Sequence, residues 1–289
     1  QFVNNDASGY EEISDVVCAR GMPPVANDTY IVVSVPSQNV NSMYIIRQNG
    51  TATLKFSGYG NFQGLAIDSG TDAGNRTIFA VDANNNLIYK MIWDQGTTLT
   101  ISDTFGDNEP SWTANNISLN SPKGIAYDST RNYLWVADTK NNRILRFNSI
   151  NGEYQLAINS PNWAMSQPKD IAGDSAGFIY VCDYINNRIH KFNYNGEEQE
   201  GWPKGKFGNG GVVGGEPEFN GPFGIAIDSA GFIFVTDQKN GRIQKLNSDG
   251  TINDSNWANI KVNDTYPFNV NNHCLRGLAI SDTFLYYMF

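Results

Sequence analysis

Four aspartates stand at the same place in four similar strings: Asp82 in Phe-Ala-Val-Asp, Asp138 in Trp-Val-Ala-Asp, Asp183 in Tyr-Val-Cys-Asp and Asp237 in Phe-Val-Thr-Asp. Arg143, Arg188 and Arg242 follow the last three at a constant spacing. A ring of carboxylates could hold a cation. A carboxylate at a strand end can equally cap a turn and pair with a local guanidinium. Recurrence in unit after unit favours the turn, because a ligand site usually breaks a repeat's symmetry. None of these loops has the Asp-x-Asp-x-Asp-Gly…Glu spacing of a calcium loop. A second set, Asp68, Asp128, Asp174 and Asp228, closes another short strand ahead of Ser-Gly, Ser-Thr or Ser-Ala-Gly turns. It reads the same way.

Other reactive groups are sparse. His190 and His273 are the only histidines. A zinc site built on histidine needs about three converging ligands. His190 replaces Leu145 or Gln244 of the sister strings, so it is expected on a strand surface. No nucleophile elbow, phosphate loop or paired-cysteine metal motif is present. Catalytic residues are therefore expected to be none, and metal ligands none. Cys182 sits inside an apolar strand and reads as a small buried hydrophobe. Cys18 and Cys274 lie near opposite ends of the chain, and a ring-shaped fold would bring them together as a candidate disulfide.

The elements that carry these residues are short strands in a repeating unit. Its clearest copy, 221–250, holds three apolar runs, GIAID, FIFVTD and RIQKL, separated by Ser-Ala-Gly, Lys-Asn-Gly and Asp-Gly turns. That is a meander of antiparallel strands. The first run recurs at Gly64, Gly124, Asp170, Gly224 and Gly277, at intervals of 46 to 60 residues. The third run carries a basic residue at its fourth position each time: Lys90, Arg146, Lys191 and Lys245. Looser matches, Tyr30–Val35 and Met43–Arg47, extend the series toward the N-terminus. Units of this length with four short strands read as propeller blades.

The wording of the unit resembles the NHL repeat. Its Pro-x-Gly-Ile-Ala-x-Asp lead matches at Pro122 and Pro222, and its Asn-x-Arg-Ile run matches at Asn141, Asn186 and Asn240. In the second unit the arginine is replaced by Leu87. The resemblance implies an all-β, six-bladed β-propeller of four-stranded repeats. The whole chain, 1–289, then reads as one propeller with units at about 12–57, 58–110, 111–160, 161–207, 208–262 and 263–289. The last unit stops inside a strand and is expected to be completed by the N-terminal segment, Tyr10 to Arg20, or by another chain. Some propellers related by this repeat are amidating lyases with a histidine-rich metal centre, which two histidines do not reproduce. Propeller lactonases hold calcium with channel carboxylates and Asn, whereas the inner strands here are Gly-Ile-Ala-x-Asp almost throughout.

Composition narrows the function. The chain has 289 residues, 40% hydrophobic and 17% charged, with a formal net charge of −9. That charge repels phosphate backbones, so no nucleic-acid partner is expected. No apolar run approaches the ~20 residues that span a bilayer, so no membrane insertion is expected. Gln1 in place of Met suggests a processed or fragmentary N-terminus. Asn-x-Ser/Thr triplets at Asn27, Asn49, Asn75, Asn116, Asn253 and Asn263 are candidate N-glycosylation sites of an extracellular, secreted or cell-surface protein. Composition alone would supply several of them by chance.

Two insertions, 93–121 and 200–221, lead into inner strands on the face that carries the Asp turns. Long loops on a rigid scaffold carry binding. The binding-face candidates are Asp107, Glu109, Trp112, Lys140, Asn141, Asn186, Trp202, Lys204, Phe207 and Lys239. The reading is a non-enzymatic binding or structural module with no cofactor beyond N-linked glycans. Its partner would be a protein or a glycan, or copies of itself joined through the chain ends. The alternatives are a lyase or lactonase with a channel metal, and an RNA-binding domain.

Overall fold

A computed structural model describes residues 14–20, 29–35, 42–47, 52–57, 60–68, 75–94, 98–106, 117–159, 164–202, 204–207, 212–213, 216–253, 260–261, 277–280 and 285–287. Within them the chain is an all-β propeller. Apolar residues alternate or run continuously through the blade strands, Gly, Asn and Asp fill the turns, and each blade is a sequential antiparallel meander. Blade one comprises Asp15–Arg20, Thr29–Val35, Ser42–Arg47 and Ala52–Ser57, and blade two Phe62–Ile67, Arg76–Asp82, Leu87–Trp93 and Leu99–Gly106. Blade three comprises Ile125–Asp128, Tyr133–Asp138, Arg143–Asn148 and Tyr154–Ile158. Blade four has three strands, Pro168–Gly173, Ile179–Asp183 and Arg188–Phe192. Blade five comprises Pro222–Ile227, Ile233–Asp237, Arg242–Leu246 and Ile260–Lys261.

Two expectations are corrected. The described residues form five blades, not six. What remains of the last unit is a pair of three-residue strands, Leu278–Ile280 and Leu285–Tyr287, lodged between blade five and blade one. The segment Asp15–Arg20 does not complete that last unit. It pairs along its length with Thr29–Val35 and is the inner strand of blade one.

The core lies between neighbouring sheets rather than within one. Phe79, Val81 and Ile88 of blade two pack on Ile125, Leu134 and Val136 of blade three. Trp135 and Ile144 of blade three meet Ile171 and Val181 of blade four. Leu278 packs on Phe234 and Ile243 of blade five, and Ala279 on Val16 and Ile31 of blade one, so the short pair closes the ring. Each fully buried Ile, Val or Phe contributes about 1.5–3 kcal/mol.

Polar links join the blades as well. In blades two, three and four the basic residue at the fourth position of the third strand reaches the next blade. Lys90 Nζ donates to the Ile150 carbonyl at 3.1 Å, Arg146 Nη1 to the Tyr194 carbonyl, and Lys191 Nζ to the Ser248 carbonyl at 3.3 Å. The same cations lie over rings of their own blade, Arg146 over Tyr133 and Trp135, Lys191 over Phe178 and Tyr180. On the opposite face, Asn86, Asn142 and Asn187 adopt left-handed backbone, with φ of 58, 55 and 57°. Their Oδ1 atoms accept the backbone N–H of Ser121, Gln167 and Gly221, each at 2.8 Å, at the entry to the following blade.

Candidate functional site

The Asp-turn face can be built from its carboxylates. Asp82, Asp138, Asp183 and Asp237 are all fully buried. Each ends a second strand and turns its side chain back toward the loop that leads into its own blade. Asp138 Oδ1 accepts the Asn120 N–H at 2.7 Å, and its Oδ2 accepts Asn141 Nδ2 at 2.9 Å and Arg143 Nε at 2.7 Å. Asp183 repeats this with the Ser166 N–H, Asn186 and Arg188, and Asp237 with the Asn220 N–H, Asn240 and Arg242. Asp82, whose blade has Leu87 in place of the arginine, keeps the Asn61 N–H and the Asn85 side chain and adds the turn's own N–H groups of Asn84 and Asn85. These carboxylates are spent on the scaffold, as the recurrence suggested.

The third-strand residue beside this carboxylate differs between blades. In blade five Gln244 Nε2 donates to Asp237 at 3.0 Å. In blade four His190 takes that place, and the structure corrects its expected surface position: it is fully buried. Its Nε2 lies 3.0 Å from Asp183 Oδ2 and its Nδ1 2.5 Å from Glu198 Oε1, while the ring stacks on Phe192. Burial disfavours the charged imidazole, but the hydrogen bonds to Asp183 and Glu198 outweigh it and raise the His190 pKa. Burial pushes both strand-end carboxyls up. In blade four the bonds from His190, Asn186 and the Ser166 N–H prevail and hold Asp183 below the usual carboxylate range. In blade five burial prevails and Asp237 is raised. The departure from Leu145 and Gln244 marked His190 as unusual. Leu145 and Gln244 are buried at the same place, so the inward position belongs to the repeat, and Glu198, in the irregular segment after the strand, supplies the second carboxylate.

The channel is narrow because the inner strands start on glycine. A Cβ on Gly64 would fall 1.9 Å from the Lys123 carbonyl oxygen, and one on Gly124 would fall 2.5 Å from the Asp170 Cα. Two of the equivalent positions carry aspartate instead: Asp15 in blade one and Asp170 in blade four. The ring runs blade one to blade five and then the closing pair, so these two stand three places apart in either direction. Asp15 Oδ2 accepts the Leu65 N–H of blade two at 2.7 Å, and Asp170 Oδ2 accepts the Ile225 N–H of blade five at 2.9 Å. Burial raises the Asp170 carboxyl to about 7. Burial and then repulsion from Asp170 raise the Asp15 carboxyl as well. The space left among Ser14, Asp15, Gln63, Lys123, Asp170 and Phe223 is about 10 Å³, the room of one water. Neither aspartate was singled out from the sequence. The signal was there in Asp170, which interrupts a series of glycines.

What the Asp-turn face leaves at its surface is basic and aromatic. Lys140 and Lys239 are exposed, each in a short 3₁₀ turn after the buried aspartate. Lys239 Nζ lies 4.9 Å from the centre of the Tyr184 ring, and Lys169 Nζ 4.8 Å from the same ring. Tyr184 and Phe223 meet edge to face at 6.1 Å, half-buried between blades four and five.

The candidate residues do not form one cluster. Lys140, Asn141, Asn186 and Lys239 share the Asp-turn face, but Asn141 and Asn186 are engaged with Asp138 and Asp183 and with the carbonyls of Ser118 and Ala164. Trp202 and Lys204 lie instead at the rim, beside the third strand of blade four. Phe207 belongs to the short strand Lys206–Phe207. Asp107, Glu109 and Trp112 lie outside the described residues, as do Asn27, Asn49, Asn116, Asn263 and Cys274, and with Cys274 the disulfide. Asn75 is exposed ahead of its strand, and Asn253 is half-buried. Cys182 is a buried free thiol. Among the described residues no three His, Cys, Asp or Glu side chains converge on a metal-sized site, and no helix is long and apolar enough to cross a membrane.

Comparison with known proteins agrees with this geometry. The NHL repeat profile matches residues 119–147 and 219–246, which fall on blades three and five. The chain is 25% identical over 193 residues to the human NHL repeat-containing protein 3, covering 61% of this chain and 53% of that protein. It is 23% identical over 187 residues to the mouse protein of that name, covering 59% and 51%. It thus spans about half the length of the curated relatives it matches. Among solved structures, a streptogramin B lyase superposes with a TM-score of 0.60 at 14% identity, over 96% of this chain and 77% of that one. A chain of a nidogen/laminin complex superposes at 0.56 with 17% identity, over 82% and 76%. At these identities the likeness is one of fold.

Proposed function

We propose, taking the chain as the NHL-repeat propeller that its repeats make it, that it is a non-enzymatic extracellular binding or structural module whose Asp-turn face meets a protein partner. One observation carries this reading. The four strand-end carboxylates of that face are fully buried and hydrogen-bonded within their own blades. They are thus withdrawn from chemistry, while Lys140, Lys239, Tyr184 and Phe223 remain to make contacts. Aromatic side chains on a rigid face are what protein interfaces favour, and the lysines around them would steer an acidic partner. The channel supports the same reading, since Asp15 and Asp170 fill it and leave too little space for a substrate. The lyase neighbour shares the fold, and a fold does not fix a reaction. An RNA reading is opposed by the net charge of −9. Under this proposal no cofactor is needed, N-glycans are carried on exposed sequons, and self-assembly through the chain ends is a further mode of contact.

The test is affinity capture from extracellular medium with the purified chain and with a Lys140→Glu/Lys239→Glu double variant. Proteins retained by the wild type should be lost on charge reversal. Equal retention by both would remove the face from the account. Turnover of a small substrate by the wild-type chain would overturn the non-enzymatic reading itself.

A further inference from the structure

We infer that the seam between blades four and five holds a saccharide, bound at the rim of the propeller and away from the Asp-turn face. The seam contains a cavity of about 490 Å³, lined among others by Lys191, Gln199, Trp202, Lys204, Asp249 and Thr251. Ligand pockets span roughly 300–1,000 Å³, so this one suits one or two sugar rings.

The cavity exists because the repeat breaks there. In blade three the fourth strand is regular, Tyr154–Ile158. In blade four that strand is reduced to two isolated bridges, Ile189 to Lys204 and Phe192 to Glu198. Between them the chain turns out and back: the Gln199 N–H donates to the Lys191 carbonyl at 2.9 Å, and the Trp202 N–H donates to the Gln199 carbonyl at 3.1 Å. This bulge carries Trp202 to the seam. The opposite wall is the tight turn of blade five around Gly250, which has φ +81°. A Cβ on Gly250 would fall 2.5 Å from Lys204 Cγ and 2.8 Å from Trp202 Cη2, so the two walls already touch along one side.

Trp202 is held rather than free to swing. Its ring meets Tyr180 edge to face at 5.8 Å, and Lys191 Nζ lies 5.8 Å from its centre. The same Lys191 crosses the seam to the Ser248 carbonyl. Around this half-buried indole the lining offers both kinds of hydrogen-bonding group. Lys191, Lys204 and the Gln199 amide donate. The Asp249 carboxylate, fixed by the Thr251 N–H and hydroxyl at 2.9 and 2.6 Å, accepts. A phosphate ligand would want cations alone, and an apolar ligand would want neither kind. A pyranose presents hydroxyls that both donate and accept, together with a C–H face that packs on an aromatic ring.

The source of the sugar is either a free polysaccharide or the glycan of another protein, and the experiment separates the two. Saturation-transfer NMR and calorimetry on the full chain would be run with a panel of monosaccharides, free oligosaccharides and a protein-linked N-glycan. At least one sugar should bind with a Kd of about 1 mM or tighter. That affinity should fall about tenfold or more in Trp202→Ala and in Asp249→Asn, and stay unchanged in Glu153→Gln, an exposed residue of blade three. Asp249 is an exposed turn residue, so its variant keeps the test valid if Trp202→Ala fails to fold. No binding across the panel would overturn the inference. So would binding that Asp249→Asn leaves intact. Protein capture on the Asp-turn face is independent of either result.

Discussion

Inside blade four, His190 bridges the strand-end carboxylate Asp183 and the edge-segment carboxylate Glu198, at 3.0 and 2.5 Å. Its raised pKa means that the folded state holds the proton more tightly than the unfolded chain, for which the usual value is 6.5. The stability from this bridge is therefore fully present below pH 6.5 and is lost as the pH rises through the folded pKa. Urea unfolding from pH 5.5 to 8.5 should show it. His190→Gln, which copies Gln244 of blade five, should flatten the decline above pH 6.5. Equal slopes for variant and wild type would refute the bridge.

The axial carboxylates act in the same direction over a lower range. Asp170 is raised to about 7 from an ordinary value of 3.8, by burial. Its contribution is fully present below pH 3.8 and is lost as the pH rises through about 7. Asp170→Asn keeps an oxygen for the Ile225 N–H and removes the repulsion felt by Asp15. The variant should melt above the wild type at pH 8 and close to it at pH 4. A variant that melts lower at pH 8 would show that the charge is wanted.

Blades two, three and four are each tied to the next by an asparagine in left-handed backbone. Asn142→Ala removes the acceptor for the Gln167 N–H, a loss of about 1 kcal/mol. The melting temperature should fall by about 2–4 °C. Blade five has Gly241 at the matching position, so Gly241→Ala has no such acceptor to lose and tests only the strain at φ 63°.

Glycosylation discriminates between two sequons. Asn75 is exposed, whereas the Asn253 amide donates to Asn247 Oδ1 at 2.5 Å and its N–H donates to the Lys245 carbonyl at 3.0 Å. Expressed through a eukaryotic secretory pathway, the chain should carry a glycan at Asn75 and a bare Asn253. Peptide mapping after enzymatic deglycosylation reads both sites. A bare Asn75 would count against the extracellular reading.

Much of the fold is legible in the sequence because the repeat copies itself. Turn residues, strand periodicity and the Asp-x-x-Asn pattern recur in blades two to five, and each copy corroborates the others. The fourth-position cations were visible as a pattern, but their targets, carbonyls of the next blade, needed the ring to be assembled. Positions where the repeat lapses were harder to read. His190 lies inward as Leu145 and Gln244 do at the same place in blades three and five, and the bulged segment adds Glu198 as its second partner. Trp202 sits at the rim because that same bulge turns it outward. Asp15 belongs to an inner strand that lacks the Gly-Ile-Ala wording altogether, so only its pairing with Thr29–Val35 reveals its place. The blade count failed for a related reason, since the last unit contributes only two short strands among the described residues.

The central claim is that the recurring strand-end carboxylates hold each blade's turn and entry loop in place and are not reactive groups. Thermal unfolding of Asp138→Asn beside Asp128→Asn tests it most directly. Asp138 is fully buried against Arg143 at 2.7 Å, whereas Asp128 pairs with Arg131 in a turn open to solvent. Breaking a buried pair costs about 3–5 kcal/mol, so Asp138→Asn should melt roughly 6–20 °C below the wild type. Asp128→Asn should stay within about 3 °C. A stable Asp138→Asn variant, melting with the wild type, would contradict the account and return that carboxylate to the list of groups available for chemistry.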